Sequence, residues 1–374
     1  MLKVLNVLFD DRYGGPQKRV IDVGSQLSKK DICTIMVIPK GNGNSEKIAK
    51  LQNLKVVKAK FTKTPSPKKI IMILKWLYSL PVDVISFIKI IKNEQCDIVH
   101  VNGAFFLAPA IAAKICRKPL VWHLNDTIVP LKMAKFFGFI VRLLATKIVV
   151  AAHAVANHYQ ILSNYTVIYA PVNTNSITPR RRPRRGEIKN IGMIGNLNPL
   201  KGIGVFIESA SILNSKMQGR VKFLIAGSRL DTQRQYAESI DALISEKKLG
   251  NLIDEQGFVS DINNFLHDLD VLVLSSISEA SPMAILEAMS AGVPIVATNV
   301  GGVSEMINGK DSCTSGLVVD SGDSKKMAEC IQTILEDELL SLELGKCGRE
   351  LAILKFSLIK CSESHKLLYS SLIK

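Results

Sequence analysis

Short β-branched runs alternate with longer helical patterns along the whole chain, and this alternation limits the fold more than any other sequence feature. It is typical of parallel α/β domains, in which helices cover both faces of a sheet. The runs VLVL and PIVA are apolar throughout, which fits strands buried on both faces. We predict strands at Lys3–Phe9, Ile32–Ile38, Asp97–Val101, Leu120–His123, Lys147–Val150, Val167–Tyr169, Ile191–Ile194, Val221–Ala226, Val271–Leu274 and Pro294–Ala297.

Length and charge divide the chain in two. Its 374 residues exceed the roughly 250–300 that a single hydrophobic core serves. Residues 1–173 carry 25 lysines and arginines against nine acidic residues, a net charge of +16, whereas residues 187–374 carry 18 against 24, a net charge of −6. Residues 174–186 contain five arginines and read as a linker. We therefore predict two doubly wound Rossmann-like domains, 1–173 and 187–357, facing a central cleft, with a C-terminal helix at 358–374 that is free to cross back.

Composition also bears on compartment. The mean hydropathy is +0.20, yet no apolar stretch reaches the roughly 20 residues of a membrane span. The N-terminal apolar run is too short for a signal peptide, so we expect a cytoplasmic protein. The seven cysteines are odd in number and include no Cys-x-x-Cys, which favours buried reduced thiols over disulfides or zinc ligands.

The strongest motif is the run from Ser278 to Pro294, SEASPMAILEAMSAGVP. It follows the VLVL strand and predicts a helix with Ser281 as N-cap and Pro282 as its first residue. Amides at a helix N-terminus beside the carboxyl end of a parallel strand suit a diphosphate. Glu279 lies just before this helix and Glu287 inside it, so both are candidates for ligand contact; the alternative is two solvated carboxylates.

This run resembles the E-x7-E motif of glycosyltransferase family 4, the retaining enzymes of GT-B fold. Asn299–Glu305 and Ser315–Val318 extend the resemblance. The loop Ile194–Ile203, IGNLNPLKGI, is similar to the family's G-R-L-x-P-x-K-G loop, with Asn196 where the family usually has an arginine. The resemblance covers nearly the whole chain and implies the GT-B fold.

The resemblance also implies which residues form the site. Lys201 would stabilise the charge of the leaving diphosphate, Glu279 would orient the donor sugar hydroxyls, and His123 would face that sugar. For His123 the alternative is a histidine packed in the core. For Gly14 and Gly15, which the resemblance places at the donor, the alternative is a simple turn. The implied donor-binding residues are Gly14, Gly15, Gly195, Asn196, Lys201, Val259, Ser281, Pro282, Met283, Ala284, Ile285 and Glu287, the last on the ribose.

Two basic segments in the first domain carry aromatic residues. Residues 68–92 and 132–147 place lysines and arginines among tryptophan, tyrosine and phenylalanine. Helices of this kind lie on anionic membrane surfaces, although ordinary amphipathic helices with solvated lysines are the alternative. No nucleic-acid-binding motif is present, so we predict no nucleic-acid partner.

The prediction is a retaining hexosyltransferase that moves a sugar from a UDP- or GDP-sugar to a lipid-linked or anionic glycan acceptor, in cell-surface polysaccharide synthesis at the inner face of the membrane. No cofactor or metal is predicted, because Asp268-Leu-Asp270 lies at the strand end away from the cleft and reads as a solvated turn. A nucleotide-sugar epimerase of the same fold and a non-catalytic nucleotide-sugar-binding protein remain as alternatives.

Overall fold

Two parallel β-sheets organise the chain, and each belongs to its own unit. The structure is a computed structural model that describes residues 1–62, 70–180, 188–309 and 313–373, with backbone only at 70–74 and 77. One unit comprises Met1–Ala170 with Leu358–Lys374, and the other comprises Pro171–Ser357. Within the described ranges, no helix combines the length and the apolar content that a membrane crossing requires.

The first unit contains a seven-stranded parallel sheet in the order β3-β2-β1-β4-β5-β6-β7. Its central strands are buried almost throughout, as expected for strands covered by helices on both faces. The elements up to residue 167 are Leu2–Val7 (β1), Gly15–Ser28 (α1), Ile32–Pro39 (β2), Ser45–Leu51 (α2), Lys55–Ala59 (β3), Ile70–Glu94 (α3), Ile98–Asn102 (β4), Leu107–Ile115 (α4), Leu120–Leu124 (β5), Leu131–Leu144 (α5), Lys147–Val150 (β6), His153–His158 (α6) and Tyr165–Val167 (β7).

The second unit contains a six-stranded parallel sheet in the order β10-β9-β8-β11-β12-β13. Short 3-10 helices precede α7 and α8, at Pro199–Lys201 and Asp231–Gln233. The remaining elements are Lys189–Ile194 (β8), Ile203–Met217 (α7), Val221–Ala226 (β9), Arg234–Glu246 (α8), Ile253–Gly257 (β10), Ile262–His267 (α9), Val271–Leu274 (β11), Met283–Ala291 (α10), Ile295–Thr298 (β12), Val303–Ile307 (α11), Gly316–Val319 (β13), Ser324–Glu336 (α12) and Glu338–Leu354 (α13).

The strand order reverses at one point in each sheet. In the first sheet β1 pairs with β4, and in the second β8 pairs with β11. Where the order reverses, the loops leaving the carboxyl ends of the two strands turn to opposite faces and leave a crevice, which is where open α/β sheets bind ligands. The topology therefore marks the loops after β1, β4, β8 and β11 as candidate ligand loops.

The C-terminal helix, Leu358–Ser370 (α14), belongs to the first unit although the second unit precedes it in the chain. Leu358, Cys361, Leu368 and Tyr369 join one buried apolar cluster with residues of α1 and of the central strands, including Leu27. The strand that starts the chain and the helix that ends it thus share one core.

All ten predicted strands are present, with ends shifted by up to two residues. The strands β3, β10 and β13 were not predicted, and each is an edge strand of its sheet. An edge strand is exposed along one side and needs no continuous apolar run. The sequence of β10, IDEQG, shows this, because none of its residues is fully buried.

Residues 174–180, the start of the predicted linker, belong to the second unit and not to a free connection. The Thr178 backbone N–H donates to Asn263 Oδ1 at 3.1 Å. The second unit begins at Pro171, three residues before the predicted linker. The other linker residues, 181–186, lie outside the described residues.

One expectation about the cysteines is wrong. Cys313 and Cys347 form a disulfide, with their Cα atoms 5.8 Å apart. The fold brings these positions together across 34 residues of sequence, which no local spacing reveals. The remaining five are free thiols, as expected: Cys33, Cys96, Cys116, Cys330 and Cys361.

Truncating Leu368 should destabilise the first unit. Leu368 is 7% exposed within the cluster that α14 joins, so Leu368→Ala should lower the free energy of unfolding by about 2–4 kcal/mol. Leu367→Ala is the matched control, because Leu367 is the neighbouring residue on the same helix and is 72% exposed. Both tryptophans, Trp76 and Trp122, lie in the first unit, so tryptophan fluorescence during urea unfolding reports on that unit alone. Equal shifts for the two variants would contradict the packing described for α14.

Candidate active site

Two loops meet at the carboxyl edge of the second sheet because β8 pairs with β11. The backbone N–H of Ile277, after β11, donates to the carbonyl of Leu200 at 2.8 Å. The Ser275 hydroxyl donates to the carbonyl of Lys201 at 3.0 Å. These bonds hold the predicted phosphate loop against the loop that leads into α10.

An ion pair joins the two predicted catalytic residues of this unit. Lys201 Nζ lies 2.7 Å from Glu279 Oε1, and the Ser276 hydroxyl donates to the same oxygen at 2.8 Å. The side chains of Lys201 and Glu279 are 26% and 13% exposed. The ammonium is therefore fixed in position at a partly buried edge, where charge–charge interactions are stronger than in bulk water.

Two glycines permit this close arrangement. A Cβ at Gly195 would lie 3.1–3.3 Å from the Cγ, Cδ and Cε atoms of Lys201, so the lysine stem rests directly on that backbone. Gly301, after β12, has φ +53°, and a Cβ there would overlap the carbonyl oxygen of Glu279. Larger residues at either position would displace a member of the ion pair.

Asn196 cross-links neighbouring loops. Its Oδ1 accepts from the Ser228 backbone N–H at 3.0 Å, and the Leu197 N–H donates to the Ser228 carbonyl at 3.0 Å. The Gly227 N–H in turn donates to the Gly257 carbonyl at 2.7 Å. The loops after β8, β9 and β10 thus form one hydrogen-bonded rim, and a donor contact by Asn196 stays a prediction.

The start of α10 differs from the prediction by one residue. Pro282 is the N-cap residue and Met283 the first residue of the helix, so Ser281 precedes the cap. Proline has no side-chain acceptor, so Pro282 makes no side-chain cap hydrogen bond. Ala284 and Ile285 are buried in the first turn. The helix ends at Gly292, in the left-handed conformation, as predicted.

Glu287 and Val259 lie where the sequence predicted them, but their ligand roles stay predictions. Glu287 is half-buried within α10, and Val259 is half-buried in the loop between β10 and α9. Neither residue is packed away in the core.

The Asp268-Leu-Asp270 turn is solvated only in part, because Asp268 is exposed but Asp270 is buried. Asp270 is 5% exposed, and its Oδ2 accepts the backbone N–H of Asn190 at 2.8 Å. It holds the start of β8 beside β11, at the amino ends of the strands. In the part of the chain that the structure describes, no group of three or more His, Cys, Asp or Glu residues is placed to hold a metal ion.

Gly14, Gly15 and His123 lie in the first unit. Gly14 is the exposed N-cap residue of α1, with extended backbone, and a Cβ there would meet no atom closer than 3.4 Å. Neither strain nor crowding requires a glycine at this position, and the predicted contact with the donor stays a prediction. Gly15 begins the helix, and Pro16 follows.

His123 is fully buried at the carboxyl end of β5. Its Nε2 lies 2.7 Å from the Arg19 guanidinium, whose other arm donates to Asn102 Oδ1 at 2.5 Å. The ring of His123 stacks on that of His100 with centroids 5.5 Å apart, and His365 of α14 lies against both rings. The alternative of a packed histidine describes this environment, while the predicted contact with a donor sugar stays a prediction.

Burial governs ionisation in this cluster. Desolvation lowers the pKa of His100 and His123 well below the usual value and that of His365 to about 4, and the charge of Arg19 lowers all three further. Desolvation also raises the pKa of the Cys361 thiol to about 12. All three imidazoles are therefore neutral at physiological pH.

Sequence reasoning missed three residues that build these sites. Arg19 is buried on α1, where periodicity alone makes it one more basic residue. Ser276 follows the VLVL strand at an edge where polar residues commonly bind ligands, which was the available signal. Gly301 is part of the Asn299–Glu305 match, but its contact with Glu279 is visible only in three dimensions.

The fold and these loops define a protein of two Rossmann-like units, with the ion pair of Lys201 and Glu279 on a hydrogen-bonded rim of the second sheet. The family model described as Glycosyltransferase Family 4 matches residues 13–176, and that described as Glycosyl transferases group 1 matches residues 177–351. The chain therefore belongs to the family 4, group 1 glycosyltransferases, as its resemblance in sequence indicated.

Relatives include CapM, the capsular polysaccharide biosynthesis glycosyltransferase of Staphylococcus aureus, 32% identical over 185 residues, which are 49% of this chain and 46% of CapM. The UDP-Gal:alpha-D-GlcNAc-diphosphoundecaprenol alpha-1,3-galactosyltransferase of Escherichia coli is 24% identical over 316 residues, 77% of this chain and 79% of that protein. The chain thus spans about half the length of CapM and most of the length of the Escherichia coli enzyme.

Solved structures share the fold across the whole chain. HepE of Anabaena in complex with UDP has a TM-score of 0.83 at 19% identity, covering 100% of both chains. TarM of Staphylococcus aureus, in complex with fondaparinux, alpha-GlcNAc-glycerol and UDP, has a TM-score of 0.78 at 15% identity, covering 99% of this chain and 100% of TarM. At this identity they show the fold alone, which is GT-B, as predicted.

The buried histidines should make the protein acid-labile. Unfolded histidines take up protons near pH 6.5, whereas burial keeps the native His100 and His123 neutral well below that pH and lowers the pKa of His365 to about 4, so the unfolded state binds more protons as the pH falls. Each histidine should lower the free energy of unfolding by about 1.4 kcal/mol per pH unit in this window. Urea unfolding at pH 7.5, 6.0, 5.0 and 4.5 measures this slope.

Two variants assign the slope to the cluster. His365→Asn should reduce it by about 1.4 kcal/mol per pH unit, while His153→Asn, at an exposed position, should leave it unchanged. A slope that responds equally to both variants would place its origin elsewhere.

Proposed function

We propose that the protein transfers a sugar, with retention, from a UDP-sugar to a lipid-linked glycan acceptor during cell-surface polysaccharide synthesis. The observation that carries this proposal is the ion pair of Lys201 and Glu279, 2.7 Å apart, on a rim of mutually hydrogen-bonded loops. Support for UDP comes from similar structures that contain it, and support for the acceptor from the diphosphoundecaprenol substrate in the name of one relative.

The ion pair suits a diphosphate site. In the structure Glu279 balances the charge of Lys201, and an incoming diphosphate would compete with it for that ammonium. Lys201 would then stabilise the negative charge that grows on the leaving diphosphate as the glycosidic bond breaks. Glu279, released from the lysine, would accept hydrogen bonds from hydroxyls of the donor sugar, while Glu287 would accept those of the ribose.

The proposed mechanism needs no protein nucleophile. The acceptor hydroxyl attacks the anomeric carbon on the face from which the diphosphate leaves, and a leaving diphosphate oxygen takes the acceptor proton. Catalysis then rests on positioning and on preorganised charge, which the hydrogen-bonded rim supplies before the substrate arrives.

We also propose that the first unit binds the inner face of the membrane through α5. One side of α5 is buried through Ala134, Phe137 and Val141. The opposite side leaves large apolar residues 53–68% exposed beside exposed cationic ones. They are Leu131, Lys132, Lys135, Phe136, Phe139, Arg142 and Leu143. An inward-packing helix with only its lysines solvated would not expose such residues, whereas a helix lying in anionic lipid would.

A second segment contributes less than predicted. On α3, Tyr78, Val82 and Ile85 are 54–88% exposed, but Phe87 is a core residue, fully buried. Lys68 and Lys69, at the start of the predicted basic segment, lie outside the described residues. The proposal for the membrane surface therefore rests on α5.

Lys201→Ala should lower the turnover number by about 10²–10³-fold, the loss expected when one preorganised group stabilising a leaving anion is removed. A transfer assay with a soluble acceptor analogue and each UDP-sugar of a panel in turn measures turnover, and the donor that supports transfer identifies the sugar. Lys222→Ala is the matched control, since Lys222 also forms an ion pair, with Asp254 at 3.2 Å, away from the rim. Near-normal turnover in Lys201→Ala would remove this lysine from the mechanism, and acceptor-independent release of nucleotide would indicate the epimerase.

Reversing the charges of α5 should abolish binding to anionic vesicles. Each basic residue near such a surface contributes about 1 kcal/mol, so replacing Lys132, Lys135 and Arg142 by Glu should prevent sedimentation with phosphatidylglycerol vesicles. Binding of the unaltered protein should weaken steeply with salt. Activity on a soluble acceptor analogue should survive in the triple variant.

The matched control carries the same change of charge on exposed lysines of the second unit, Lys216, Lys325 and Lys346. It should sediment with vesicles like the unaltered protein. The proposal is falsified if the unaltered protein fails to sediment at low salt, or if both triple variants lose binding equally.

A further inference from the structure

Arg19 is a buried cation in the first unit, on the helix α1 that follows β1. Its side chain is 5% exposed, and desolvation lowers its pKa. The hydrogen bonds of its guanidinium go to His123 Nε2 and Asn102 Oδ1, which are paired in register at the ends of β5 and β4. The charge is thus placed at the carboxyl ends of β4 and β5, and the topology predicts a ligand loop after β4.

The contact with Arg19 determines where His123 carries its proton. A guanidinium has only donors, and it stays protonated even when burial lowers its pKa, since its ordinary value is above 12. The nitrogen that faces it, Nε2 at 2.7 Å, must therefore be the acceptor. A neutral imidazole with an unprotonated Nε2 carries its hydrogen on Nδ1.

The Nδ1 atom of His123 is buried and has no hydrogen-bond partner among the described residues. A buried donor without an acceptor is unusual enough in a native fold to require an explanation. A cavity of ≈ 10 Å³ lies nearby, but Thr34 and His100 line it and His123 does not. The fold itself therefore leaves this donor unassigned.

The groups around His123 all oppose a second proton on its ring. Arg19 approaches from α1, His100 from β4, and His365 from α14, where Cys361 and Tyr369 complete the cluster. In the described part of the chain, no carboxylate contributes to the ionisation of His123 or Arg19. The environment thus favours one proton, on one nitrogen.

We propose that Arg19 is a positioning residue for His123: by donating to Nε2 it fixes the imidazole with its proton on Nδ1, so that His123 acts as a hydrogen-bond donor in the transfer reaction and not as an acid or base. This inference rests on the proposed function together with the predicted contact between His123 and the donor sugar. Because Nδ1 is buried in this structure, an oxygen of that substrate can accept the Nδ1–H only if substrate binding exposes the ring.

The proton position is measurable without any substrate. Long-range ¹H–¹⁵N correlation spectra of the deuterated full chain report which histidine nitrogens carry protons, and His123→Asn assigns the resonances. We expect an unprotonated Nε2 and a protonated Nδ1 throughout pH 5.5–8. A proton on Nε2, or titration of His123 with an ordinary pKa in this range, overturns the proposal whatever the variants do.

A double-mutant cycle tests the link to the reaction. Arg19→Met keeps the bulk of the side chain and removes its donors, so it should lower kcat/KM by about 10–100-fold, as loss of positioning does. In the background of His123→Asn the same change should cost less than about twofold, because Arg19 acts through His123. Equal losses in both backgrounds would mean that Arg19 only supports the fold.

Two further variants separate charge and folding from positioning. Lys18→Met, one residue earlier on α1, makes the same change in charge and should leave kcat/KM within about twofold. Arg19→Lys retains a donor and should recover part of the activity and the Nδ1–H form. If the protein transfers no sugar at all, the proposed function fails while the spectra still decide the position of the proton.

Discussion

The pairing of β8 with β11 is the interaction on which the second unit's chemistry depends. It brings Lys201 and Glu279, separated by 78 residues in sequence, to one edge of a sheet. Hydrogen bonds between the loops then fix both backbones, so the ion pair forms with little loss of conformational entropy. Because the positions are set by strand register and glycine contacts, the geometry precedes the ligand, and binding energy need not be spent on assembling it.

The first unit, in contrast, buries a charge, the guanidinium of Arg19. Removing a guanidinium from water is costly, and no carboxylate among its described contacts offsets that cost. Neutral acceptors at the ends of β4 and β5 satisfy Arg19 instead. Helix α14 closes the cluster through the bond between Tyr369 and His100, at 2.6 Å. Helix α14 thus completes the surroundings of His100 on β4 and of His123 on the neighbouring β5.

Sequence reasoning predicted the fold class, and it anticipated which residues meet in the second unit better than which residues meet in the first. Lys201 and Glu279 lie in contiguous motifs, so their neighbours in sequence indicate their setting. Arg19, His100 and His365 have no such motif, because tertiary packing alone brings them together from α1, β4 and α14. The edge strand β10 was missed because exposure removes the apolar pattern that marks a buried strand. The disulfide between Cys313 and Cys347 was not predicted because it depends on proximity between positions 34 residues apart in sequence.

The placement of α14 affects the order in which the two units can complete their folding during synthesis. The first unit is interrupted in sequence, since its final helix is synthesised only after all of Pro171–Ser357. The second unit is continuous, so it can close its own core on the emerging chain while the first sheet still waits for Leu368 and Tyr369. During that interval the apolar surface of α1 that α14 covers stays open to solvent. The unit that begins at the N-terminus is therefore the last to be completed.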